Sequence, residues 1–239
     1  IFSYINLKAK CRSCQEPISI RYLLVELIAA AIFGSLFLYE LVTGGNNIPS
    51  LGISHEGILW VILYPKWPVI GAYFLHAFFM CTVLVLALFE WDNQPLRWTF
   101  ALFVGLFFFL TMLIYLPLQP ILLLDHLPGL TLNLSPWIGQ AVKLLVGAAA
   151  GATIGRLMAM VVSTARPSLL TYSLFLTGMV LGWQALLPVT LLFGLLLLVV
   201  RYSTQLKAIL QGRTIPVLLA AIAIHHPLWK IIADAWRFN

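Results

Sequence analysis

The sequence predicts an all-α, polytopic integral membrane bundle, and three observations carry that reading. Hydrophobic residues fill 62% of the 239 positions and charged residues only 9%, with a mean hydropathy of +0.99, a balance that soluble globular domains do not sustain. Apolar runs of membrane length recur from residue 22 almost to the end, whereas a secretory signal would be one short run at the start. The net charge of +6 comes from bases lying between those runs, which reports membrane topology and implies no nucleic-acid partner.

Counting apolar runs of about 18 to 24 residues places helices at 22–43, 68–90, 98–117, 137–160, 168–186, 187–201 and 214–233, about seven spans in all. The stretch from 168 to 201 is too long for one crossing, and Pro188 is the expected break. Between the first two spans, Gly44, Gly45, Asn46, Asn47 and Pro49 form a turn cluster. Residues 58–64 follow, too short to cross and carrying Trp60 and Tyr64, with Trp67 beyond, as an interfacial segment would.

Placing residues 1–21 in the cytoplasm puts ten bases inside, namely Lys8, Lys10, Arg12, Arg21, Arg97, Arg156, Arg166, Arg201, Lys207 and Arg213. Only Lys66, Lys230 and Arg237 then lie outside, while Lys143 can snorkel to the outer surface. The C-terminus is thereby expected on the periplasmic or extracellular side. Gly147, Gly151 and Gly155 form a small-xxx-small ladder on the fourth span, expected to pack a neighbouring helix of the same chain closely.

Upstream of the first span, Cys11 and Cys14 enclose two residues, a spacing that lets both thiolates reach one metal ion. They are candidate zinc ligands, two of the four that a closed structural site needs. Cys81 sits in an apolar run and reads as a small hydrophobe. No disulfide framework emerges from three cysteines without regular spacing.

The stretch from Phe2 to Leu27, through Cys11, Cys14, Pro17, Ile18, Ser19, Arg21, Tyr22, Val25 and Glu26, resembles the cytoplasmic zinc segment of the prepilin peptidases. These are bacterial type IV leader peptidases that cut and N-methylate pilin precursors, and their segment reads S-Y-x-x-x-x-G-x-C-x-x-C-x-x-P-I-S-x-R-Y-x-x-V-E-L. The resemblance implies two parts, a cytoplasmic segment at 1–21 with half of a zinc knuckle and a transmembrane bundle at 22–239. It further implies an eight-helix full chain in the bacterial inner membrane, with a first helix and an earlier cysteine pair upstream of Ile1.

An intramembrane aspartyl protease needs two carboxyl groups that share a proton while activating water. By the resemblance, the first catalytic aspartate falls on Glu90, at the end of Leu86, Ala87, Leu88 and Phe89, with Asp92 two residues on. The extra methylene of Glu90 shifts a carboxylate by about 1 Å, a displacement that can cost about a hundredfold in rate. The family's second aspartate lies in G-x-G-D-x-K-L, upstream of an L-G-W matched by Leu181, Gly182 and Trp183. Counting back places Leu170 on that aspartate, and Leu170 has no proton to share. The family's I-P-F-G-P is not reproduced by Ile215, Pro216, Val217, Leu218 and Leu219. Glu90 and Asp92 are therefore the catalytic candidates, in vestigial form, and Asp125 and Asp234 fall on the opposite side.

His76 lies mid-span one turn before Met80, as a packed histidine or an axial ligand to a cofactor or pigment. His225 and His226 read as an interfacial polar patch on the side shared by His55 and His126, and Glu40 as an acid near the outer surface able to snorkel. Arg156 is placed to reach lipid phosphates. The leading expectation is a prepilin peptidase-like protein that is catalytically inactive and serves as a scaffold or accessory subunit, with lipid and other membrane subunits as partners. Two alternatives stand beside it: an active leader peptidase and N-methyltransferase acting on prepilin-type substrates, and a pigment- or cofactor-associated subunit using His76.

Overall fold

The computed structural model describes residues 6, 7, 9–49, 51, 64–118, 135–162, 164, 166–210 and 212–236. These residues form an all-α bundle with no strand among them. The expected interfacial segment (except Tyr64), His55, Asp125 and His126 lie outside the described residues.

Helix α1 (Ile20–Leu36) starts where Ser19 accepts a hydrogen bond from the Arg21 amide, and it continues as a π-helical turn over Phe37–Val42. Gly44 and Gly45 reverse the chain at φ 67° and 79°, values that glycine adopts without a Cβ penalty. Helix α2 (Trp67–Trp91) has Pro68 in its first turn, and α3 (Trp98–Ile114) leads into a 3-10 turn at Leu116–Leu118. Then come α4 (Pro136–Val161), α5 (Pro167–Tyr202), the short α6 (Thr204–Leu210) and α7 (Ile215–Trp236).

By length and composition, five of these can cross a membrane: Ile20–Val42, Trp67–Trp91, Pro136–Val161, Pro167–Tyr202 and Ile215–Ala235. Trp98–Ile114 is apolar but shorter. The break expected at Pro188 falls instead at Gly182, whose φ of 84° and ψ of 161° interrupt α5, while Pro188 stays inside the second arm. Glycine takes that φ without a Cβ penalty, whereas Pro188 keeps helical dihedrals.

Helices α4 and α5 form the most extensive pair. Their seam is the glycine ladder: a Cβ on Gly147 would overlap the carbonyl of Gly178, one on Gly151 that of Leu174, and one on Gly155 would lie 2.8 Å from the Cα of Thr171. The expected ladder thus brings two backbones of one chain together, the approach on which helix association in lipid depends. Hydroxyls inside the bundle bond back one turn: Thr82 to Phe78 O, Ser173 to Leu169 O and Thr177 to Ser173 O, so none is stranded in an apolar surrounding. Gln140 ties α4 to α3 by donating to Met112 O at 3.0 Å. Helix α7 packs against α5 and α2, with Leu218, Ala221 and Ile222 fully enclosed.

Gly151→Val is expected to lower the unfolding free energy by roughly 1–3 kcal/mol or more, read as a fall in the thermal midpoint in detergent. Gly139→Ala, where a Cβ meets nothing within 4 Å, should leave the midpoint unchanged or slightly raised, since alanine is the better helix former.

Candidate functional site

The end of α2 is cut sharply by its sequence. Asn93 adopts φ 54° just past the Asp92 cap, Gln94 donates to Phe89 O, Asn93 donates to Glu90 O, and Pro95 prevents continuation. That closure holds Glu90 in the last turn of α2, where it is completely buried. Both of its oxygens are engaged. Oε2 accepts from the amides of Thr214 and Ile215, each at 2.8 Å, and Oε1 accepts from the Thr214 hydroxyl at 2.9 Å and the Thr164 hydroxyl at 3.1 Å. Glu90 thus caps the N-terminus of α7, whose first amides have no carbonyl partner within their own helix. In return, Arg213 donates to Trp91 O at 3.3 Å and stacks 4.3 Å over the Trp91 ring, and Arg166 donates to Asn93 O.

Asp92 does not join Glu90. Its carboxylate pairs with Arg21 at 2.6 Å, and both side chains are 45% exposed. Leu170, on the position of the family's second aspartate, is enclosed in the core. Glu16, Glu26 and Asp234 are exposed. Glu40 is buried against His76, which lies 14 residues from Glu90 on the same helix, about 21 Å along the axis.

The cysteine knuckle is a small hairpin. Cys11 N donates to Glu16 O, Gln15 N to Cys11 O and Ile18 N to Ala9 O, with a bridge between Lys10 and Pro17. Gln15 at φ 58° and Ala9 at φ 59° both take left-handed conformations. At Ala9 the family pattern has glycine, so this chain holds a strained residue where the pattern avoids strain. The Cys14 and Ser13 amides, and then the Cys14 thiol, point at the Cys11 sulfur and lower its pKa below the ordinary cysteine value. Two thiolates are half of a closed zinc site, and among the described residues the one group of three potential ligands lies elsewhere. The described residues add no third ligand to Cys11 and Cys14, and no chemistry is routed through the knuckle.

That group of three comprises Glu40 from the π-helical turn after α1 and His76 and His226 from the middle of α2 and α7. His76 Nδ1 lies 2.6 Å from Glu40 Oε1, and His226 Nε2 bonds the same oxygen. This corrects two expectations. Glu40 does not snorkel, because the π-helical turn aims it inward to two imidazoles and leaves it fully buried. His225 and His226 are not an interfacial patch, since both are at most 2% exposed. The signal in the sequence was the presence of three ionisable groups inside apolar spans, each of which needs a partner. Their convergence was not visible there, because it depends on helix order and rotation. The group can hold a metal ion.

Residues 1–40 match the Bacterial Peptidase A24 N-terminal domain. Over 34 residues the chain is 56% identical to the prepilin leader peptidase/N-methyltransferase of Neisseria gonorrhoeae, a match spanning 14% of this chain and 12% of that protein. No solved structure matches. The family match covers the knuckle and first helix, and with the likeness to the Neisseria protein and the helical bundle it supports a prepilin peptidase-like membrane protein.

Glu90→Gln, which turns an amide toward donors, should destabilise the protein by roughly 1–3 kcal/mol, whereas Asp92→Asn at the exposed pair should cost under about 1 kcal/mol; chemical or thermal unfolding of the two variants measures the contrast. Alkylation of Cys11 should reach half its maximal rate at a lower pH than that of a free cysteine, because a lowered pKa supplies thiolate earlier as pH rises. Cys14→Ala should reverse only part of that shift, since the two amides remain.

Proposed function

We propose that this chain is a catalytically inactive prepilin peptidase-like protein that serves as a scaffold or accessory subunit of a membrane assembly. The single observation behind this reading is the engagement of Glu90. An acid pair must hold a proton between two carboxyl groups and admit the water they activate. Glu90 instead meets four donors, two amides and two hydroxyls, in a fully enclosed place. No room is left on its oxygens for a second acid. The nearest acid in sequence, Asp92, faces Arg21 at the surface, and Leu170 stands where the partner would be.

The reading places the protein in a bacterial inner membrane as a multi-pass chain, with residues 1–21 in the cytoplasm, as the distribution of bases favours. Helix α1 leaves most of its apolar surface uncovered by the other described residues, with Tyr22, Leu24, Leu27 and Phe33 exposed. Lipid or another membrane subunit would cover that face, and an accessory role requires the second.

A leader-cleavage assay on a pilin-type precursor tests the proposal. The expected outcome is no cleavage by the unsubstituted protein above the level seen with Glu90→Ala and Asp92→Ala. Cleavage that disappears in either variant sinks the reading.

A further inference from the structure

The end of the bundle away from Glu90 contains a second cluster with no role in the proposed scaffold. Glu40, His76 and His226 come from three helices, are each at most 2% exposed, and direct one ligand atom apiece to a common point, all within 4.8 Å of one another. Glu40 reaches that point because α1 ends in a π-helical turn, a local rewinding that often marks a functional position. The chain after it is fastened to α7: Asn47 Nδ2 donates to His226 O at 3.3 Å, and Lys230 N donates to Asn47 O at 3.0 Å. The segments that carry Glu40 and His226 are thus fastened together by contacts that do not involve those two side chains.

Hydrogen bonding alone accounts for the cluster poorly. With both imidazoles donating to Glu40 Oε1, three buried polar atoms are left without partners among the described residues: Glu40 Oε2, His76 Nε2 and His226 Nδ1. Each such atom has given up water for no bond in return. A cation shared by the three ligand atoms neutralises the carboxylate and lets Oε2 coordinate as well. The distal nitrogens would then carry hydrogens, and both rings lie 5.8 Å from the Trp229 ring, a surface that accepts N–H groups weakly.

The geometry points to a divalent transition-metal site formed by Glu40, His76 and His226, distinct from the cysteine knuckle and clasping α1, α2 and α7 together. Two imidazoles and one carboxylate make the donor set of open zinc sites. Calcium and magnesium prefer all-oxygen shells, and soft ions prefer sulfur.

Metal analysis of the full chain, purified in detergent, stripped with chelator and titrated with zinc, tests the site. Cys11→Ser/Cys14→Ser should retain about one zinc ion per chain. In that background, Glu40→Gln and His226→Gln should each weaken binding by more than the roughly 10–100-fold that loss of an outer-shell partner costs. Cobalt loaded into the double-serine protein should show visible ligand-field bands without a sulfur-to-metal charge-transfer band, a readout that holds even if a ligand variant misfolds. Absence of zinc and of the cobalt bands in the double-serine protein overturns the assignment, as does unchanged zinc affinity in the well-folded Glu40→Gln variant.

Discussion

A carboxylate set against the start of a helix holds this bundle closed at one end. The first amides of α7 have no intrahelical acceptors, and inside a membrane protein no bulk water stands ready to receive them. Glu90 provides that acceptor from α2, and Arg213, immediately before α7, returns a donor to the carbonyls that end α2. The exchange couples two helix ends more than a hundred residues apart in sequence. Thr164, just before α5, joins the same carboxylate, so α2, α5 and α7 all meet on one side chain. An acid at this position is therefore needed by the fold whether or not it takes part in chemistry, and the longer reach of glutamate serves the capping role.

The remaining architecture follows from the scarcity of driving force between apolar helices in lipid. Where α4 meets α5, Gly147, Gly151 and Gly178 bring backbone against backbone, which yields dispersion contacts that larger side chains would block. Where α5 must turn back, Gly182 supplies the conformation. Buried hydroxyls are quieted by bonds to the preceding turn. The chain thus gathers its buried carboxylates and imidazoles in two clusters, and the polar side chains on its helix faces bond to backbone carbonyls.

Those two clusters lie about 21 Å apart along α2 and do different work. At one end Glu90 is surrounded by hydrogen-bond donors and closes a structural contact. At the other, Glu40 is flanked by imidazoles, groups that can give a proton or hold an ion. The separation rules out a shared proton between the two buried acids, and it divides the polar interior into a capping end and a ligand-bearing end.

Much was legible without coordinates, and the reason is local. Hydropathy placed the helices because each must be about a bilayer long whatever its neighbours are. The knuckle of Cys11 and Cys14 and the ladder of Gly147, Gly151 and Gly155 depend only on spacing along the chain. The family resemblance was carried mainly by a contiguous stretch, Phe2 to Leu27, which lies within the residues that match the family model. What needed the tertiary structure was everything set by rotation and order of the helices. Hydropathy cannot choose between Gly182 and Pro188 as the break, because it carries no information on backbone dihedrals. Nor can it pair Glu40 with His76 and His226, or Glu90 with Thr214. These contacts join residues far apart in sequence, and only packing brings them within reach.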